Sequence, residues 1–184
     1  MTSPFPAIQI PSDPTPVAPV YDRPRYNNDV PFTVRDFQPA DFETLWRLDQ
    51  ECFPPGISYS QAELKHYMRR SRSFTLVVED AAVTSGEGLV AGFIVAEADG
   101  RGQGHIITID VIASARRFGL GSLLLGSAED RLRAAGCRSI ELETAVDNSS
   151  ALAFYKRHGY SVIKTFPRYY SNGVDALVLQ KDLA

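Results

Sequence analysis

The run Val111–Ser122 places Arg116 and Arg117 just ahead of Gly119 and Gly121. A β-branched stretch, Ile106–Val111, leads into it, and the apolar spacing beyond predicts an amphipathic helix reaching about Ala135. A strand that feeds a glycine-bearing turn at a helix N-terminus gathers unpaired N–H groups at the positive end of the helix dipole. That arrangement suits a phosphate or pyrophosphate. Glycine at 119 and 121 lets the backbone approach an anion with no Cβ in the way, and the two arginines add charge. The spacing is not that of the nucleotide P-loop, because no Lys-Ser/Thr follows the second glycine, and it lacks the third glycine of the dinucleotide fingerprint.

A second set of residues could move protons. Glu141 and Glu143 fall on one face of a strand expected over Arg138–Thr144, with Ile140 and Leu142 on the other. His105 opens the strand expected over His105–Val111, and an imidazole with an ordinary pKa of about 6.5 can accept a proton near neutrality. Tyr155 lies in a helix expected from Asn148 to about His158. A phenol with an ordinary pKa of about 10 keeps its proton and can donate it. Asn148 either contacts a ligand or simply caps that helix. His66 and His158 belong to no such set and read as surface residues.

The elements that must carry these groups can be read from period and punctuation. Eight of the twelve prolines (Pro4, Pro6, Pro11, Pro14, Pro16, Pro19, Pro24, Pro31) crowd residues 1–31, which therefore read as an extended or disordered leader. Residues 32–184 read as one domain. A strand is expected near Phe32–Arg35. Asp41 is placed to cap a helix carrying Phe42, Leu45, Trp46 and Leu48. The segment Phe53–Tyr59 breaks that helix, and Ser60 with Glu63 forms a capping box for a second helix ending near Arg70. Strands are expected at Ser73–Glu79 and Leu89–Ala98, separated by a turn at Ser85–Gly88. The long helix presents Leu120, Leu124, Ala128, Leu132 and Ala135 on one face, and Gly136 ends it. Two closing strands are expected at Ser161–Phe166 and Asp175–Lys181, joined around Asn172-Gly173. The order implies an α/β sheet with helices on both faces, mixed near its C-terminal edge.

Bulk composition narrows the function classes. The chain has 184 residues, 44% hydrophobic and 22% charged, which fits a soluble globular protein. With a net charge of −3, no global basic field would draw nucleic acid or an anionic membrane, so neither is expected as a partner. The apolar runs are too short to span a bilayer, and no secretory leader is read at the N-terminus. Cys52 and Cys137 show no metal-ligand spacing; no metal is expected, and buried free thiols in a reducing cytoplasm are.

Three pieces together resemble the GCN5-related N-acetyltransferases. They are the strand–Arg116-x-x-Gly119-x-Gly121–helix unit, the run Asn148-x-x-Ala151 to Tyr155-x-x-x-Gly159-Tyr160, and the hairpin Arg168-Tyr169-Tyr170 to Asp175-Ala176. The hairpin, with Gly104-His105-Ile106-Ile107, is similar to protein N-terminal acetyltransferases, including those that act on a ribosomal protein's N-terminal alanine. The likeness covers roughly residues 32–183. It departs from the family at Ala113, Ser114 and Ala115, where a proline and an aromatic residue are usual.

The resemblance implies a mixed, centrally splayed β-sheet and an enzyme that moves acetyl from acetyl-CoA to a primary amine by direct attack. The amine it implies first is the N-terminus of a protein or peptide. A small amine (polyamine, antibiotic or amino acid) and a non-catalytic acyl-CoA-binding module are the rival readings. It selects Glu143 over Glu141 as base, with His105 as a second candidate, and Tyr155 as the acid for the leaving thiolate. Coenzyme contacts are expected at Ile109, Asp110 and Val111, along the loop Arg116, Arg117, Phe118, Gly119, Leu120, Gly121 and Ser122, and at Asn148. The acceptor is expected between Phe53 and Tyr59 on one side and Tyr169 and Tyr170 on the other, unless those tyrosines merely pack an edge strand.

Overall fold

The computed structural model describes residues 32–53, 57–80, 90–170 and 172–183. The leader, the turn at Ser85–Gly88, Leu89, residues 54–56 and Ser171 lie outside the described residues. The elements are β1 (Phe32–Asp36), α1 (Phe42–Cys52), α2 (Gln61–Met68), β2 (Ser73–Asp80), β3 (Val90–Ala98), β4 (Gln103–Val111), α3 (Leu120–Ala134), β5 (Ser139–Ala145), α4 (Ser149–Arg157), β6 (Ser161–Phe166) and β7 (Ala176–Asp182).

They build one seven-stranded sheet in the order β1-β2-β3-β4-β5-β7-β6. β1 to β4 form an antiparallel meander, and β7 pairs antiparallel with both β5 and β6. The parallel pair is β4–β5, at the centre of the sheet and not at its C-terminal edge as expected. The reason is connectivity: α3 is a crossover helix, which returns the chain parallel to its start, whereas the closing hairpin inserts β7 beside β5.

Two apolar layers cover the sheet. Leu120, Leu124, Leu125 and Leu132 of α3 and Tyr155 of α4 pack on Val78, Ile94, Ile106 and Ile109. Leu45, Leu48 and Leu64 of α1 and α2 pack on Val77, Phe93, Val95 and Ile107. Each fully buried leucine contributes about 1.5–3 kcal/mol relative to exposure. β4 serves both layers through a bulge. Val95 pairs with Thr108 and Ala96 with Ile106, so Ile107 is an extra residue. The extra residue resets the alternation, and Ile106 and Ile109, three apart, both face α3.

Three local expectations need correction. Asp41 stands at the N-cap position of α1 but makes no side-chain cap bond. Its carboxylate instead accepts Arg35 Nη1 and Nη2 at 2.7 and 2.8 Å and the Gln38 N–H at 2.7 Å, because a buried-side guanidinium fork outcompetes a single amide. Ala135 is the C-cap of α3 and is exposed; Leu125 completes the core face in its place. His158 is half-buried, with Nε2 2.9 Å from Ser122 Oγ and its ring against Phe154. The Ser60–Glu63 capping box forms as read, and both cysteines are buried free thiols.

Candidate active site

The centre of the sheet opens where β4 and β5 part. Their registered pairs are Gln103–Ser139, Gly104–Ile140 and His105–Glu141, and none follows, although β4 continues to Val111 and β5 to Ala145. The splay expected from the resemblance is therefore present, and it starts at His105. At its start, His105 Nε2 lies 2.7 Å from Glu143 Oε2, a contact from one diverging strand to the other. Both side chains are largely shielded, with 13% and 7% of their surface exposed. The pair can take a proton from a group held in the gap, its tautomer set by whichever partner carries that proton.

Tyr155 is wholly buried, and its hydroxyl has no hydrogen-bond partner among the described residues. Burial, with the nearby Asp110 carboxyl and Tyr170 phenol, pushes its pKa well above the ordinary tyrosine value. Burial, with Tyr169, Glu143 and Asp147, raises the Tyr170 phenol as well. The Tyr155 phenol therefore feels the Asp110 carboxyl, and the Tyr170 phenol feels Glu143. Tyr170 is buried with its hydroxyl unpartnered among the described residues, and Tyr169 stacks on Phe166 with ring centroids 5.8 Å apart.

The turn after β4 runs from Ala113–Ala115, a short 3-10 segment, into the N-terminus of α3. Arg117 and Gly119 both have left-handed backbone, with φ of 68° and 83°. Left-handed residues in a turn are the pattern from which backbone anion nests are made. Gly119 is the N-cap of α3 and offers no side-chain cap, so the amides of the first turn face outward for an anion. Gly121 is closely approached: a Cβ there would meet the Phe154 ring at 3.4 Å. Of the two arginines, Arg117 is exposed. Arg116 folds back instead, donating from Nε to the Val111 carbonyl at 2.9 Å and from Nη2 to Cys52 Sγ at 3.6 Å. Asn148 caps α4, its side-chain oxygen accepting the Ala151 N–H at 3.0 Å.

The acceptor-side residues divide. Phe53 is buried in the α1–α2 layer. Tyr59 is buried too, and its polar groups tie the α1–α2 segment to the sheet. Its hydroxyl donates to the Ile107 carbonyl at the bulge (3.2 Å) and its N–H to Asp49 Oδ2 (2.8 Å). Its carbonyl accepts from Trp46 Nε1 (3.2 Å) and Gln50 Nε2 (2.8 Å). Tyr169 and Tyr170, in T-shaped contact at 5.5 Å, stand at the other side of the gap.

Sequence reasoning passed over Asp49 and Tyr67. Tyr67 of α2 packs edge-on against Tyr59 at 5.5 Å, and Glu143 is among the carboxylates that, after burial, raise its pKa. Asp49 carried a readable signal, since it falls in the stripe Leu45, Leu48, Asp49, Cys52, all buried. Among the described residues no cluster of His, Cys, Asp and Glu could hold a metal ion.

Comparison with known proteins follows the same lines. The sequence pattern of the acetyltransferase (GNAT) family matches residues 42–160. The chain is 40% identical to the uncharacterised N-acetyltransferase MJ1530 of Methanocaldococcus jannaschii, over 80% of this chain and 90% of that one. It is 28% identical to the N-alpha-acetyltransferase daf-31 of Caenorhabditis elegans, over 82% of each. It superimposes with a TM-score of 0.71 on a chain of a NatC complex solved with a Gag peptide and CoA, at 25% identity, covering 83% of this chain and 99% of that one. The splayed sheet, the glycine turn and these similarities agree: the chain belongs to the GNAT family and is an N-acetyltransferase.

Proposed function

We propose that the protein transfers acetyl from acetyl-CoA to the α-amine of a protein or peptide N-terminus, in the cytoplasm, by direct attack within a ternary complex. The observation that carries this reading is the His105–Glu143 contact at the start of the β4–β5 gap. A proton acceptor at that point supports attack by an amine on a thioester held in the gap.

Magnitudes favour an α-amine over lysine. With ordinary pKa values of about 7.7–8.0 and 10.4, freeing the lone pair at pH 7 costs about 1 kcal/mol for an α-amine and about 4.6 kcal/mol for lysine. An imidazole–carboxylate pair suffices for the first. The relative named as an N-alpha-acetyltransferase supports the same choice.

This chain's residues fit the substrate. Beyond His105, β4 pairs with β3 but no longer with β5; on that open edge, the groups other than the Ile107 and Val111 carbonyls, which Tyr59 and Arg116 occupy, are offered to the pantetheine arm as an added strand would use them. The Gly119 turn offers amides to the pyrophosphate. In the transfer, the amine nitrogen bonds to the thioester carbon and its proton passes to the His105–Glu143 pair. Backbone N–H groups of β4 stabilise the oxygen charge that develops. The carbon–sulfur bond breaks, and Tyr155 donates a hydrogen bond to the departing thiolate. With its pKa raised by burial, Tyr155 is suited to holding that proton toward sulfur more than to releasing it to water.

The test is thiol release from acetyl-CoA with a panel of peptides of varied N-terminal residue, polyamines and free amino acids. We expect turnover with at least one peptide to exceed that with every small amine. A polyamine preferred over all peptides would overturn the proposal.

A further inference from the structure

A hydroxyl and an imidazole meet where α3 and α4 come together, apart from the acid–base groups described above. Ser122 Oγ lies 2.9 Å from His158 Nε2. Ser122 stands in the first turn of α3, and His158 is the C-cap of α4. The first helical bond of α3 runs from the Leu123 N–H to the Gly119 carbonyl, so the Ser122 N–H is the last of those that precede it. Phe154 fixes the pair from the α4 side. Its ring centroid is 4.6 Å from that of His158, and a Cβ on Gly121 would meet its ring at 3.4 Å. Ser122 and His158 are both half-buried.

The hydroxyl has one proton to place. While Nε2 is bare, that proton goes to the ring. Once Nε2 carries a proton, the ring donates to Oγ, and the Ser122 proton turns toward a third group. At the N-terminus of a helix, the third group that gains most is an anion.

The surroundings of the imidazole make its charge depend on such an anion. Burial, Arg157 of α4 and Lys181 of β7 disfavour the imidazolium and hold the His158 pKa below its ordinary value, against the pull of Glu129 of α3. The Glu129 carboxylate is already engaged: it accepts Lys181 Nζ at 2.5 Å and the Tyr160 hydroxyl at 3.1 Å. Arg157 lies over the Phe154 ring, 5.9 Å from its centroid. An imidazolium here is therefore short of negative charge, which a diphosphate at the Gly119 turn would supply.

We propose that Ser122 and His158 form a phosphate-responsive anchor for the coenzyme: the bound diphosphate draws a proton onto His158, and the ring then aims the Ser122 hydroxyl at a phosphate oxygen. The inference rests on the reading that the Gly119 turn receives acetyl-CoA. It gives His158 a binding role and ties proton uptake to coenzyme binding. Because the imidazolium is favoured with coenzyme in place, affinity is greatest at low pH and falls as pH rises through the titration of the bound state.

The experiment uses the full chain, with CoA as the probe. Proton NMR follows the His158 ring of wild type, assigned through its contact with Phe154, from about pH 5 to about pH 8.5, with and without saturating CoA. Calorimetry gives Kd for CoA at about pH 6 and about pH 8 for wild type, His158→Gln and Ser122→Ala. Glutamine keeps a hydrogen-bonding group against Ser122 but carries no titratable charge. We expect the His158 midpoint to lie below about 6.5 without CoA and to rise when CoA binds. From pH 6 to pH 8, CoA binding to wild type should weaken about fivefold beyond the change seen in His158→Gln. That difference cancels the coenzyme's own 3′-phosphate ionisation near about pH 6. Ser122→Ala should bind CoA about threefold or more weakly than wild type at pH 6.

A His158 midpoint that CoA leaves in place would overturn the inference. So would equal pH dependence in wild type and His158→Gln, or wild-type affinity in Ser122→Ala at pH 6. The wild-type titration decides the matter even if a variant fails to fold. If CoA does not bind, the coenzyme reading falls and this inference with it; if CoA binds and the midpoint stays, only this inference falls.

Discussion

β4 carries titratable groups in two settings, and they differ in access. His105–Glu143 joins two diverging strands at the start of the gap, at 2.7 Å, with part of each side chain still exposed. Asp49 on α1 and Asp110 on β4 both have zero exposure and one oxygen unpartnered among the described residues. The first can exchange a proton with a bound amine and then with water. The second, shut off from solvent, can do neither quickly. The comparison teaches that residue type alone does not assign acid–base work; the route to solvent decides whether a carboxyl turns over protons.

The largest effect separating the two settings is on stability against pH. Burial pushes Asp49 up to about 7 from a reference value of 3.8. Between those values the folded state holds a proton that the unfolded chain has released, so stability falls as pH rises through this window and levels off above it. At the full shift this amounts to at most roughly 4 kcal/mol. Urea unfolding at pH 5 and pH 7 should show wild type less stable at the higher pH and Asp49→Asn with a flatter dependence. Equal slopes would place Asp49 among ordinary carboxylates. Glu143→Gln is the matching change at the accessible pair. It should lower kcat by about 100-fold, the low end for losing a general base, with little change in KM for acetyl-CoA. A fall confined to KM would mark Glu143 as a binding group.

Smaller effects refine the picture. Gly92 of β3 sits so close to β4 that a Cβ would meet the Asp110 carbonyl at 2.4 Å, and backbone there cannot give way easily. Gly92→Ala should therefore cost about 1–3 kcal/mol in chemical unfolding. A neutral result would mean that β3 and β4 can shift apart at the end of the gap. Tyr155→Phe should lower kcat by about tenfold while leaving acetyl-CoA affinity in place, as read by turnover and calorimetry. Turnover equal to wild type would remove Tyr155 from the thiolate.

Much of this arrangement is written in local pattern. The apolar period of Leu120, Leu124, Ala128 and Leu132, the Ser60–Glu63 box and the glycines after β4 and α4 define their elements almost to the residue, because helix period and caps are short-range properties. Tertiary competition accounts for the misses. Asp41 looks like a cap until Arg35, on another element, takes its carboxylate. Ile107 looks like one more alternating residue, since a bulge depends on how β3 meets β4. The spacing of Glu143 and His105 could not show that their strands diverge just where they touch; the resemblance to a family supplied that. Asp49 was legible as an acid in an apolar stripe, but its bond to the Tyr59 N–H depends on how the segment after α1 folds back, and alternation assigned Asp110 no task for its carboxyl.

The central claim is that the gap between β4 and β5, closed at one end by the Gly119 turn, receives acetyl-CoA. Amide hydrogen exchange of the full chain with and without saturating CoA tests it most directly. The account predicts slowed exchange concentrated in Ile109–Val111 and in the turn from Arg117 to Ser122, with β1 and β6 at the sheet edges unchanged. Exchange unaltered in both segments, or protection only at a sheet edge, would contradict it.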